Sequence, residues 1–258
     1  MTVKPNKDKV ALITGASSGL GEAYARKLAS QGYNLVLVAR REERLSALSS
    51  ELQANHPVRA EVLVADLTRE SDIKRVETKI SNLEHVDILI NDAGFGTTGT
   101  FAEVDLDGQL GMITIYVVAP TRLIRAALPK MEKGGSIINV ASLGAFVKVP
   151  GNVTYCAAKA YLVVFSETLQ MELKEKGIHV QALCPGFART EFHEKMGGFD
   201  SSVVPKFLWM NPEDVVKESL KALEKGKVLC IPGLRNRIVF LLVRIGVSSF
   251  LLKLYHLQ

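Results

Sequence analysis

Tyr155 and Lys159 stand four residues apart, a spacing that puts two side chains on one face of an α-helix. A tyrosine hydroxyl ionises near pH 10 and is by itself a weak proton carrier at neutrality. An ammonium beside it stabilises the phenolate and lowers that pKa. The pair can then give a proton to a carbinol oxygen or take one from it. A lone Y-x-x-x-K also describes many surface helices, so the neighbours matter. Ser142 lies thirteen residues earlier, at the end of the apolar run Ile137-Ile138-Asn139-Val140-Ala141. At the carboxyl end of a strand its hydroxyl can hydrogen-bond a substrate oxygen.

A second group of residues suits a phosphate. Thr14-Gly15-Ala16-Ser17-Ser18-Gly19-Leu20-Gly21 follows a short apolar run and leads into a helical pattern. Glycines let the backbone turn tightly and approach a pyrophosphate at the helix N-terminus. The spacing is G-x-x-x-G-x-G, not the commoner G-x-G-x-x-G of dinucleotide sites. After the next apolar run come Arg40 and Arg41. An acid there would bind the ribose 2′-hydroxyl of NAD, whereas arginine accommodates the 2′-phosphate of NADP. The two cations predict NADP(H).

These residues need a scaffold. Apolar runs at 10–14, 34–39, 59–65, 86–91, 136–141, 178–184 and 227–231 read as strands. Helical patterns at 19–31, 41–54, 70–83, 106–131, 154–176 and 212–225 lie between or beside them. Strands apolar on both faces and separated by helices predict a parallel sheet covered on both sides, a three-layer, doubly wound α/β fold. With no repeat or linker, all of 1–258 reads as one domain.

Composition narrows the classes. Hydrophobic residues make up 47% and charged residues 23% of 258 residues, with a net charge of +5, which fits a globular protein. Lysines and arginines are scattered among acids, so no nucleic-acid surface is predicted. Cys156, Cys184 and Cys230 have no metal-ligand spacing and read as reduced thiols of a cytoplasmic protein with no metal site. The polar N-terminus lacks the apolar core of a signal peptide.

Over roughly residues 9–190 the chain resembles the single-domain short-chain dehydrogenases/reductases, of the TGxxxGxG/YxxxK type. The likeness rests on the glycine loop, on Ala65-Asp66-Leu67 and Ala93-Gly94, on Ser142, Tyr155 and Lys159, and on Cys184-Pro185-Gly186-Phe187-Ala188-Arg189-Thr190, which matches the family's PGxxxT. The resemblance implies a Rossmann-like fold and reversible NADP(H)-dependent reduction of a carbonyl to an alcohol. Ser142 would orient the carbonyl, Tyr155 would donate the proton, and Lys159 would lower its pKa and bind the nicotinamide ribose. Gly15, Ser17, Ser18, Gly19, Leu20, Gly21, Arg40 and Arg41 would hold the phosphates, and Asp66 and Leu67 would flank the adenine. Asn91, Asp92, Ala93 and Gly94 would support the adenosine side. Pro185, Gly186 and Thr190 would hold the carboxamide. A homodimer or homotetramer through the two long helices is also implied.

Two positions depart from the family. Asp92 stands where a second asparagine is usual, so an amide donor is replaced by a carboxylate that only accepts. If buried without a partner, it would take up a proton. Tyr116 stands where the family places an asparagine that holds a water linking the lysine to solvent. Tyrosine is bulkier and can close that channel. The chain is then a tolerated variant, a slowed or altered enzyme, or an NADP-binding protein without turnover.

Residues 191–210, with Phe192, Met196, Phe199, Phe207, Leu208 and Trp209, read as a substrate lid with a hinge at Gly197-Gly198, and suggest a medium to bulky apolar ketone or aldehyde. Packing against the body of the fold is the alternative. His193 reads as a lid residue. The tail, 235–258, is apolar and basic. It can lie in a membrane interface, pack on a second subunit or sit under the lid.

Overall fold

The computed structural model describes residues 9–194, 196, 202 and 204–244. The lid hinge Gly197-Gly198, Phe199, the polar N-terminus and tail residues 245–258 lie outside them.

Seven parallel strands form one sheet: β1 (Val10–Thr14), β2 (Asn34–Ala39), β3 (Ala60–Val64), β4 (Ile88–Asn91), β5 (Ser136–Val140), β6 (His179–Leu183) and β7 (Leu229–Cys230). Their order is β3-β2-β1-β4-β5-β6-β7. Side chains alternate across each strand, so β1 feeds two cores. Ala11 and Ile13 pack with helices α1 (Gly19–Ala29), α2 (Glu42–Asn55) and α8 (Pro212–Glu224). Leu12 packs on the other face with α3 (Glu70–Asn82), α5 (Ala119–Ala127) and α6 (Val153–Leu173). A single α/β domain of three layers results, with the doubly wound, Rossmann-like topology.

Strand order reverses beside β1, between the connections that leave β1 and β4. At such a switch point the outgoing loops part and leave a crevice beyond the strand ends. Thr14 pairs in register with Asn91, and Asn91 with Asn139. The Thr14 hydroxyl accepts hydrogen bonds from the amides of Asp92 (3.0 Å) and Ala93 (3.1 Å), which ties the turn after β4 to the first loop.

The helix expected over 106–131 is interrupted. It runs as α4 (Leu106–Ile113), a π-turn (Thr114–Val118) and α5, closing in a 3₁₀ turn at Leu128–Lys130. Pro120 sits in the first turn of α5. It has no N–H to give the carbonyl of Tyr116 four residues back, and the amide of Ala119 reaches Thr114 instead. The widened turn is centred on Tyr116.

One further expectation changes, and the tail takes a definite form. The last strand is two residues long rather than spanning 227–231. The first part of the tail is a helix, α9 (Leu234–Arg244). Its Asn236 is buried and donates to the carbonyl of Pro232 (2.8 Å), and its Phe240 ring meets Phe146 edge to face at 4.8 Å. The described part of the tail therefore packs on the fold, against the segment that follows Ser142.

Candidate active site

A cavity opens beyond the ends of β1, β4, β5 and β6. Gly15, Ser17, Ser18, Gly19, Leu20, Arg40, Arg41, Asp66, Leu67, Asp92, Ala93, Gly94, Ser142, Tyr155, Lys159, Pro185, Gly186 and Thr190 all line it. Of the catalytic and coenzyme-binding residues singled out by sequence, Gly21 and Asn91 do not. Gly21 packs behind the loop, where a Cβ would fall 2.4 Å from the carbonyl oxygen of Gly15. Asn91 is buried and donates to Asn139 (2.8 Å), which donates to Ser166 (2.9 Å). This amide chain braces the strand ends from behind.

The loop fits a nucleotide phosphate. Gly15 and Gly19 have φ of +75° and +61°, values an L-residue adopts only with strain. The Ser18 side chain makes no capping bond to α1. Its hydroxyl instead accepts from Arg41 at 2.6 Å. First-turn amides at the positive end of a helix dipole suit an anion. Arg41 also donates to the Ser17 hydroxyl (3.1 Å), and its guanidinium lies in the cavity wall beyond β2.

Glu191 was missed by the sequence reading. The first residue of the short helix α7 (Glu191–Glu194), it pairs with Arg41 at 2.6 Å and also with Arg44. A carboxylate from the 191–210 segment thus holds Arg41, one of the two arginines expected to take a 2′-phosphate. Arg40 is more exposed and lies 3.9 Å from Asp66. The Asp66 carboxylate accepts from the Thr68 amide and hydroxyl.

Ser142 caps the 3₁₀ turn Leu143–Phe146, its hydroxyl oxygen accepting from the amide of Gly144 at 3.0 Å. That leaves its own hydrogen to donate. Burial pushes the Tyr155 hydroxyl up to about 12, and a hydrogen bond with Ser142 pulls it back down. Lys159, on the next turn of α6, is 4% exposed. Burial brings its ammonium down to about 7, while the charge of Asp92 opposes that fall. Its Nζ donates to the carbonyl of Val140 (2.7 Å) and lies 3.8 Å from the centroid of the Tyr116 ring, against 5.6 Å for Tyr155. The group that lowers the Tyr155 pKa here is Ser142 rather than the expected Lys159, and burial leads the balance.

Asp92 keeps partial exposure to the cavity, yet burial raises its carboxyl to about 7, with Lys159 and the amide of Gly21 drawing it down. The expected proton uptake is present in direction. Tyr116 is 2% exposed and donates to the carbonyl of Phe95 at 2.7 Å. A Cβ on Gly94 would lie 2.3 Å from its hydroxyl oxygen, so Gly94 makes room for the ring.

The substrate end is aromatic. Phe95 and Phe192 line the cavity, the latter 5.9 Å from Tyr155 between ring centroids, and Met196 is buried near Gly96. Not every apolar lid residue faces inward. Phe207 is 59% exposed under the guanidinium of Arg235, and Trp209 packs on Phe187 and His193. Trp209 is thus packed and Phe207 exposed, and neither lines the cavity. His193 takes part in that ring cluster.

A switch-point cavity with a glycine turn at one end and serine, tyrosine and lysine at the other defines a dinucleotide-dependent oxidoreductase. The chain belongs to the short-chain dehydrogenase/reductase family, whose short chain dehydrogenase model matches residues 9–198. It is similar to a short-chain dehydrogenase from Sphingobium yanoikuyae solved in complex with NADPH, at 36% identity and a TM-score of 0.82 over 93% of this chain and 95% of that one. A bulky-bulky ketone specific alcohol dehydrogenase from Comamonas testosteroni shares 33% identity with a TM-score of 0.77, over 93% and 94% of the two chains. The inactive hydroxysteroid dehydrogenase-like protein 1 of Mus musculus is 32% identical over 206 residues, 78% of this chain and 61% of that protein. The family uses NAD(P) and small-molecule substrates, and contains both enzymes and members without activity.

Proposed function

We propose that this protein is an NADP(H)-dependent reductase of medium to bulky apolar ketones or aldehydes, acting reversibly, with Tyr155 as the proton donor. The observation that carries the reading is the convergence of Ser142, Tyr155 and Lys159 on the cavity that also holds the glycine turn and Arg41. The NADPH complex of one relative and the ketone specificity of another support it.

Gly15, Ser17, Ser18, Gly19 and Leu20 would hold the pyrophosphate, Arg40 and Arg41 the 2′-phosphate, and Pro185, Gly186 and Thr190 the nicotinamide end. Bound NADPH supplies the hydride. Ser142 donates a hydrogen bond to the carbonyl oxygen and fixes its direction. Tyr155 transfers its hydroxyl proton to that oxygen as negative charge develops there, and Lys159 stabilises the phenolate left behind. Phe95 and Phe192 exclude water and favour an apolar carbonyl substituent. Net, one carbonyl, one hydride and one proton give one alcohol.

The test follows absorbance of the reduced nicotinamide over a panel of ketones and aldehydes. NADPH oxidation is expected, and Tyr155→Phe is expected to lower kcat by about a hundredfold or more. Equal rates in the wild type and Tyr155→Phe would sink the reading.

A second reading, an NADP-binding protein without turnover, is favoured by one observation: the 32% identity to the inactive hydroxysteroid dehydrogenase-like protein 1. Tight NADPH binding with no oxidation across the panel would select it.

A further inference from the structure

Lys159 reaches the site through a narrow seat. Its Nζ is held on one side by the Val140 carbonyl at 2.7 Å and on the other by the face of Tyr116, 3.8 Å from the ring centroid. A cation over an aromatic face is attracted by the ring quadrupole, more strongly where water is excluded. Tyr116 is itself fixed from several directions. Its hydroxyl donates to Phe95, its ring meets Tyr155 at 5.9 Å and 81°, Gly94 has no Cβ to obstruct it, and the π-turn before Pro120 sets its backbone. A residue that merely filled space would need no such alignment.

We infer that Tyr116 is a positioning residue: the face of its ring seats the Lys159 side chain beside Tyr155 and favours its charged form, at the helix position where asparagine was expected. The inference rests on the reading of Tyr155 and Lys159 as the acid–base pair. The charged and titratable groups around Lys159 are Asp92 from the turn after β4, Cys184 after β6, Tyr155 from its own helix and Tyr116 from the π-turn. Burial holds the Cys184 thiol up at about 12, so Asp92 and the two rings act on the ammonium.

A direct test titrates Lys159 in the coenzyme-free full chain by NMR of isotope-labelled lysine side chains, assigned with Lys159→Met. Tyr116→Phe keeps the ring face and is expected to titrate as the wild type. Tyr116→Leu removes it and is expected to lower the Lys159 pKa by about 0.5 unit or more. Tyr116→Met, which fills more of the space, serves if the leucine variant does not fold. In alcohol oxidation, which needs the Tyr155 phenolate, the acid limb of the kcat profile is expected to move to higher pH in Tyr116→Leu and to stay in Tyr116→Phe. An unchanged Lys159 titration in the non-aromatic variants overturns the inference, even if Tyr155→Phe abolishes turnover. Absent turnover in the wild type with the titration shift intact overturns the proposed enzyme instead and leaves the seat standing.

Discussion

Asp92 is a carboxylate wedged between Gly15 and Gly21, where a Cβ on either glycine would approach its Oδ2 to 3.0 or 2.9 Å. Its carboxyl is raised from 3.8 to about 7, first by burial. Between those values the folded chain binds a proton that the unfolded chain has lost, so this residue's contribution to stability falls as pH rises through that window. Above about 7 its penalty is fully present. Asp92→Asn keeps an acceptor for the Gly21 amide and removes the charge. It is expected to melt close to the wild type near pH 4 and above it at pH 8, by on the order of 1–3 kcal/mol. Thermal melts across that range check this; a difference that shrinks as pH rises would contradict it. The residue scale is also where the sequence was most informative. Tyr155 and Lys159 are brought together by one helical turn, and the glycine loop by one connection, so their spacing announced them. The exchange at 116 was legible as a departure, but its contact with Lys159 was not, because α6 and the π-turn meet only through tertiary packing.

At the scale of elements, α7 links the segment proposed as a lid to the arginine end of the cavity. Glu191 binds Arg41 and Arg44 across 150 and 147 residues of chain, a separation no local pattern reveals. In the proposed NADP(H) complex the 2′-phosphate and this carboxylate would compete for Arg41. Partly exposed ion pairs contribute about 0.2–1 kcal/mol, and that sets the size of the effect. Glu191→Gln is expected to bind NADPH about two- to fivefold more tightly, with NADH affinity unchanged, in a fluorescence titration of the reduced coenzyme. Equal tightening for both coenzymes would place the competition somewhere other than the 2′-phosphate. The π-turn belongs to this scale too. Hydrophobic periodicity ran unbroken over 106–131 and predicted one helix, while the missing amide of Pro120 shifts the hydrogen-bond register without changing which face is apolar.

At the scale of the whole molecule, the fold buries two cores yet leaves apolar side chains outside on α4 and α6. Leu106, Leu110 and Ile113 on α4 are 63, 49 and 41% exposed, and Val153, Val164 and Met171 on α6 are 53, 62 and 78% exposed. Spacings of four and three residues on α4, and of eleven and seven on α6, put each set along one helix face, and α4 and α6 pack against each other. Large contiguous apolar surface on a soluble protein marks an interaction site, and repeated copies of one face suit a symmetric, isologous contact. A stable interface of that kind buries roughly 1,200–2,000 Å² in total, which two adjacent helices can supply. The expected state in solution is therefore a homodimer or homotetramer closed through these helices. Introducing a charge at the most exposed of them, Met171→Lys, places two ammonium groups near each other across a two-fold contact. Light scattering coupled to size exclusion should then give a smaller assembly for the variant than for the wild type, with NADPH binding retained because Met171 is absent from the cavity wall. A monomeric wild type, or an unchanged mass in both Met171→Lys and Val164→Glu, would exclude this face as the contact.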